Sequence, residues 1–257
     1  MHLHWCFLFY SHVRPLNLAF RVTIVKQMEY LNITIALLGG ILPTLFWLWF
    51  WLRQDKQKPE PTGLIVRTFI AGMIVVPLAL PLQKLALEFF TGVPLMTVWV
   101  VTEETLKYAI ALIVILWHRA VDEPIDYIVY LITIALGFAA LENALFIFNP
   151  LVAGDITGGI ITGNFRFLGA TLLHVLASGS IGVFLAFAFY KNDTIKLLAG
   201  TLGLFIAIVL HTLFNLFIMD ANGGAIMSVF LIVWLLAILL FMIFDKVKRF
   251  ELRHSKK

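Results

Sequence analysis

The stretch VWVVTEETLKYAIALIVILW, residues 98–117, is apolar and long enough to cross a bilayer, yet Glu103, Glu104 and Lys107 sit in its middle. Charge inside lipid costs at least a few kcal/mol per group, so such side chains face a bundle interior and bind, relay protons or do chemistry. The composition around this stretch sets the class. Hydrophobic residues make up 61% of the 257-residue chain and charged residues 13%, with a mean hydropathy of +0.96. That is too apolar for a soluble domain and reads as an all-α, polytopic membrane helix bundle.

Seven spans are expected. Residues 31–52 and 225–244 carry no charge, and 127–148, 167–190 and 197–219 contain only Glu142, His174 and His211 as ionisable groups in their apolar runs. The others are 65–83 and the charged 94–117. Lys and Arg concentrate on one side of this alternating arrangement, thirteen against two. The positive-inside rule then predicts an N-out, C-in bundle in the cell membrane. The net charge of +4 reflects this topology and attraction to lipid headgroups, not a nucleic-acid partner. The single cysteine, Cys6, excludes an intramolecular disulfide and a Cys-rich metal site.

The chain divides into residues 1–27, a membrane domain over 28–245 and a basic cytoplasmic tail over 246–257. Arg14, Arg21 and Lys26 conflict with an outward N-terminus, and no signal-peptide pattern is present. Residues 1–27 are therefore expected to be a misassigned start upstream of Met28, or else a disordered or interfacial extension.

Four of the spans bring polar groups to one depth. Glu103 and Glu104, Glu142 and Asn143, His174, and His211 with Asn215 all fall roughly 9–15 Å below the outer surface at ~1.5 Å per residue. Glu103 and Lys107, His174 and Ser178, and His211 and Asn215 are each four apart and share a helix face. Ala170, Ser178 and Gly182 flank His174 with the small residues that permit close helix packing in lipid. Each residue also has a plainer reading. Either glutamate could serve only to neutralise Lys107, the asparagines could join helices, and Arg166, expected near the outer end of the fifth span, could bind headgroups or substrate carbonyls.

Glu103-Glu104-x-x-Lys107, Phe138-x-x-x-Glu142-Asn143, His174 with Ser178, and His211-x-x-x-Asn215 resemble, in order, the motifs of the PrsW family of intramembrane proteases. That family is related to the CAAX prenyl endopeptidase and bacteriocin-immunity superfamily. Leu42-Pro43, Arg53-x-Asp55 and Pro59-Glu60-Pro61 resemble its first helix and loop, and the likeness runs from Met28 to the seventh span. In the prenyl-endopeptidase branch the second motif ends in His, where this chain has Glu142. The resemblance implies cleavage of a single-pass or membrane-anchored protein, such as an anti-sigma factor, from the extracytoplasmic side.

For such a hydrolysis Glu103 is the first choice of general base, with Glu104 close behind. Glu142, His174 and His211 could supply three ligands to one divalent metal, zinc being the expected ion, with a position left for water. Asn143 and Asn215 could stabilise an oxyanion. Lys107, Ser178 and Arg166 are supporting residues. A metal-free glutamate mechanism uses the same set, with the histidines as oxyanion donors. The competing class is a proton-coupled transporter or channel, although transporters often show duplicated halves and this sequence has no internal repeat.

Overall fold

The computed structural model describes residues 18–54, 58–220 and 226–254, and side chains only where placement permits. All regular structure among the described residues is helical: α1 (Leu18–Leu52), α2 (Thr62–Ala86), α3 (Gly92–Ala111), α4 (Pro124–Val152), α5 (Ile156–Phe165), α6 (Thr171–Phe187), α7 (Asp193–Asp220) and α8 (Ile226–His254). A π-helical turn, Leu112–Leu116, prolongs α3, and another, Arg166–Ala170, fuses α5 to α6. The chain thus forms seven helical rods among its described residues. Six are long and apolar enough to cross a membrane, the fused rod Ile156–Phe187 among them, and the protein is a multi-pass membrane protein. α3 carries too many ionisable groups for that criterion, but Glu103, Glu104 and Lys107 are all buried against other helices, so its outward surface stays apolar.

The helix of α1 begins at Leu18, and residues 1–17 lie outside the described residues. One expectation changes. The fifth rod starts at Ile156 rather than 167, because Gly154 adopts φ +82° and Asp155 caps the new helix by accepting from Gly158 N at 2.8 Å. The Gly- and Thr-rich run 156–165 has low helix propensity in water. In lipid every backbone polar group must be bonded internally, which favours helix regardless of that propensity. The consequence is positional, since Arg166 moves from the expected helix end into the body of a rod.

α4 is the axis of the bundle. Its residues from Pro124 to Ala140 are buried, with α1, α2, α3, α6 and α8 packed around it. Pro124 opens the helix, and Glu123 and Asp126 form a reciprocal capping box that satisfies its first N–H groups. The loop before α2 is fastened to this end by Lys58 pairing with Glu123 and by Tyr130 donating to Glu60. Between α2 and α4 two glycines interlock. A Cβ on Gly72 would lie 2.1 Å from the Ile134 carbonyl oxygen, and one on Gly137 would lie 1.9 Å from that of Phe69. Where lipid removes the hydrophobic drive for helix association, such backbone proximity supplies the packing energy. On the other side Gly182, in the small-residue stripe of α6, meets the backbone of Ile128 within 2.6 Å of a would-be Cβ.

Gly137→Ala is expected to push α2 from α4 and to destabilise the folded protein by about 1–3 kcal/mol, the usual cost of overpacking. Gly63→Ala, whose Cβ would meet nothing within 4 Å, should leave thermal unfolding in detergent unchanged. Equal melting temperatures for the two variants would contradict the close crossing.

Candidate active site

Glu103, Glu104 and Lys107 come from the middle of α3, His174 from α6 and His211 from α7. All five are buried, Glu104 and Lys107 completely. Glu104 Oε1 lies 2.5 Å from Lys107 Nζ and 2.7 Å from His211 Nδ1. Lys107 Nζ is also 3.1 Å from His174 Nδ1 and 4.2 Å above the Phe138 ring. The ammonium can only donate, so Nδ1 of His174 accepts, and its Nε2 donates to Glu142 Oε2 at 2.9 Å. By the same logic His211 donates from Nδ1, which leaves its Nε2 lone pair free, 3.9 Å from Glu103 Oε2.

A second layer orients the first. Arg166, on the π-helical turn, pairs with Glu142, and its Nε donates to Asn143 Oδ1 at 2.5 Å. Asn143 Nδ2 donates to Thr171 Oγ1 at 3.0 Å. The Arg166 guanidinium, for which headgroups or substrate carbonyls were the expected partners, is paired with the Glu142 carboxylate, about ten residues along the rod from Ile156. Single π turns are frequent at functional sites because they rotate one residue out of helical register. His174 lies about five helical turns from Ile156, deeper along its rod than expected, and Arg166 occupies the depth anticipated for it.

Charge accounting separates the three carboxylates. Glu104 is neutralised by Lys107 and Glu142 by Arg166. Among the described residues Glu103 has no Lys or Arg partner and its buried Oε2 has no hydrogen bond, while its Oε1 accepts from the Gln83 amide at 2.7 Å. Oε2 of Glu104 is likewise unbonded. Glu103, Glu104, His174 and His211 each offer a ligand atom within 4.8 Å of the others, and this group could hold a metal ion. Two orphaned carboxylate oxygens and a free imidazole nitrogen fit such an ion by chemistry as well as by spacing. Glu142, expected as the third ligand, lies outside this group, engaged by Arg166 and His174.

Glu103, His174 and His211 of this cluster line a cavity of about 550 Å³, with Glu104 and Lys107 outside its lining. Glu103, Glu142, Arg166, His174, His211 and Asn215 line its polar end, and apolar side chains such as Leu95, Trp99, Phe214 and Phe230 make its walls. Ser178, one turn beyond His174, is fully buried with its Oγ unbonded, and it is not part of the cavity lining. Sequence reasoning missed Gln83. Its only signal was an amide near the end of an apolar helix, two residues after Pro81.

Comparison with known proteins identifies the family. Residues 60–243 match the model of the PrsW family intramembrane metalloproteases. The chain is 29% identical over 223 residues to "Protease PrsW" of Bacillus subtilis (strain 168), covering 85% of this chain and 93% of that protein. It is 29% identical over 206 residues to the same-named protein of Oceanobacillus iheyensis (78% and 91% covered), and 27% over 227 residues to that of Clostridioides difficile (strain 630) (85% and 92%). No solved structure matches the chain. An all-helical membrane bundle with a buried Glu-Glu-His-His cluster, matched along most of its length by this family, is a peptidase: the chain belongs to the PrsW family of intramembrane metalloproteases.

Proposed function

We propose that the protein is an endopeptidase that cuts a membrane-anchored protein, for example an anti-sigma factor, near the extracytoplasmic face, with Glu103 as general base. The observation that carries this reading is that Glu103 lines the cavity while its buried Oε2 has no hydrogen-bond partner among the described residues. A carboxylate already neutralised by a cation, as Glu104 and Glu142 are, is a poor proton acceptor. Glu103 keeps an unbonded oxygen, and among the described residues the group in ion-pair range of it is the His211 imidazole, at 3.9 Å, in place of a Lys or Arg.

In this mechanism an unwound stretch of substrate enters the apolar cavity with its scissile carbonyl over the cluster. Glu103 Oε2 takes a proton from water as the water oxygen attacks the carbonyl carbon. Asn215, which lines the cavity one turn after His211, donates to the oxyanion of the tetrahedral intermediate. Glu103 then returns the proton to the leaving amide nitrogen, which becomes the new amino terminus. Asn143, whose Oδ1 accepts from Arg166 and whose Nδ2 donates to Thr171, serves in this reading as a positioning residue. Asn143 holds Arg166, which holds Glu142, which fixes the His174 ring. Ser178 supports close packing of α6.

His211 and His174 with Glu104 would hold the metal, zinc for a nitrogen and carboxylate set. When bound, it would supply Lewis-acid polarisation of the carbonyl and a more acidic water. His174 joins that set by exchanging its contact with Lys107 or with Glu142. The proposed topology keeps seven spans, α3 included, with the N-terminus outside and the C-terminus inside. Short connections between successive rods make neighbours antiparallel, and the cavity lies between the start of α3, the end of α4 and the start of α8. In that topology this is the outer half of the bundle.

Glu103→Gln keeps shape but cannot accept a proton, and should fold normally while losing at least ~100-fold in turnover. The assay is cleavage of a single-pass reporter in liposomes, with folded protein quantified alongside; near-normal turnover would remove Glu103 as base. Stripping metal with a strong chelator should abolish cleavage, and His211→Ala should lower bound zinc measured by elemental analysis together with activity. Full activity in metal-free protein would instead give the histidines to the oxyanion. In a Cys6→Ser background, a cysteine placed beside Asp155 should react with an impermeant thiol reagent on intact cells, and one at Lys58 should not. The opposite pattern would invert the topology and the side of cleavage.

A further inference from the structure

The geometry points to Gln83 of α2 as a positioning residue that selects which oxygen of Glu103 works, an inference that rests on Glu103 being the base. Gln83 is gripped at two points by one face of α3. Its side-chain Nε2 donates to Glu103 Oε1 at 2.7 Å, and its backbone oxygen accepts from Trp99 Nε1 at 2.9 Å. Trp99 and Glu103 are four residues apart and so project from the same side of α3. Gln83 lies in the last turn of α2, where carbonyls have no partner within the helix. The indole satisfies one of these carbonyls, which fixes the backbone from which the amide reaches Glu103.

The amide is suited to the task because it is uncharged. A Lys or Arg at this place would form an ion pair and neutralise the carboxylate, as Lys107 and Arg166 neutralise Glu104 and Glu142. An amide N–H instead holds Oε1 by direction while leaving the charge uncompensated. With Oε1 occupied, the carboxylate has one rotational setting, in which Oε2 is unbonded and faces His211. The same contact couples α2, which otherwise contributes nothing to the polar cluster, to the chemistry on α3.

The test measures kcat and KM for a fluorogenic single-pass reporter co-reconstituted in phosphatidylglycerol and phosphatidylethanolamine liposomes. Gln83→Met, similar in size but without a donor, should lower kcat about 10- to 100-fold with KM within about two-fold, since misplacement of a reacting group is costly in kcat. Gln83→Glu, isosteric but presenting a second carboxylate to Glu103, should lose more. In a Glu103→Gln background the Met substitution should add no further loss, because Gln83 acts only through Glu103. Normal kcat in Gln83→Met would overturn the inference, as would an equal additional loss in the Glu103→Gln background or a loss matched by a fall in folded protein. Should the Met variant fail to accumulate, the isosteric Glu variant decides by the same three criteria. Retained turnover in Glu103→Gln alone would instead defeat the reading of Glu103 as base, a result the single variant gives independently of Gln83.

Discussion

The ion pair between Glu104 and Lys107, fully buried and 2.5 Å apart, is the constraint around which the bundle is arranged. Two charges removed from water carry a desolvation penalty of several kcal/mol each, offset only when their remaining bonding capacity is filled. Lys107 fills its own with His174 and the Phe138 face, and Glu104 takes His211. Satisfying this one pair therefore draws α4, α6 and α7 to the same point of α3. The proximity of the two histidines to Glu103 follows from that requirement.

The polar centre can exist because the surrounding helices approach closely. α4 is held by backbone-to-backbone crossings at Gly72, Gly137 and Gly182, which depend on shape and not on a hydrophobic drive that lipid does not provide. These contacts surround the half of α4 before Glu142. A cavity adjoins this packing, with Glu103, Glu142, Arg166, His174, His211 and Asn215 among its described lining residues. Close helix packing, which Gly40 of α1 continues past Glu142 with a would-be Cβ 2.6 Å from Ala144 N, gives the reacting groups a rigid base, and the adjoining cavity gives room for a polypeptide.

Neutralisation also divides labour among chemically identical side chains. Glu103, Glu104 and Glu142 lie near one another, yet their partners are a glutamine, a lysine and an arginine. One carboxylate keeps its charge uncompensated and an oxygen open, and two serve to hold other groups. Arg166 can reach Glu142 only because residues 156–165 are helical and the π turn directs it inward.

The sequence by itself determined the membrane class, the helical rods and the ordered polar motifs, because hydropathy and intramembrane charge are properties of local composition. It also limited the site to Glu103, Glu104, Glu142, His174 and His211, since few ionisable groups lie in apolar runs. Which carboxylate is paired and which is free was decided only in three dimensions. The partners Gln83, Arg166 and Lys107 lie on different helices or share one helix with two candidates, and spacing along a chain does not rank them. The start of the fifth rod was likewise hidden, because Gly158, Gly159 and Gly163 read as loop by propensity in water. Lipid reverses that preference by leaving a non-helical backbone without hydrogen-bond partners. Gln83 was the least legible of all: its role depends on Trp99 and Glu103 meeting the end of α2, a contact that exists only once the helices have packed.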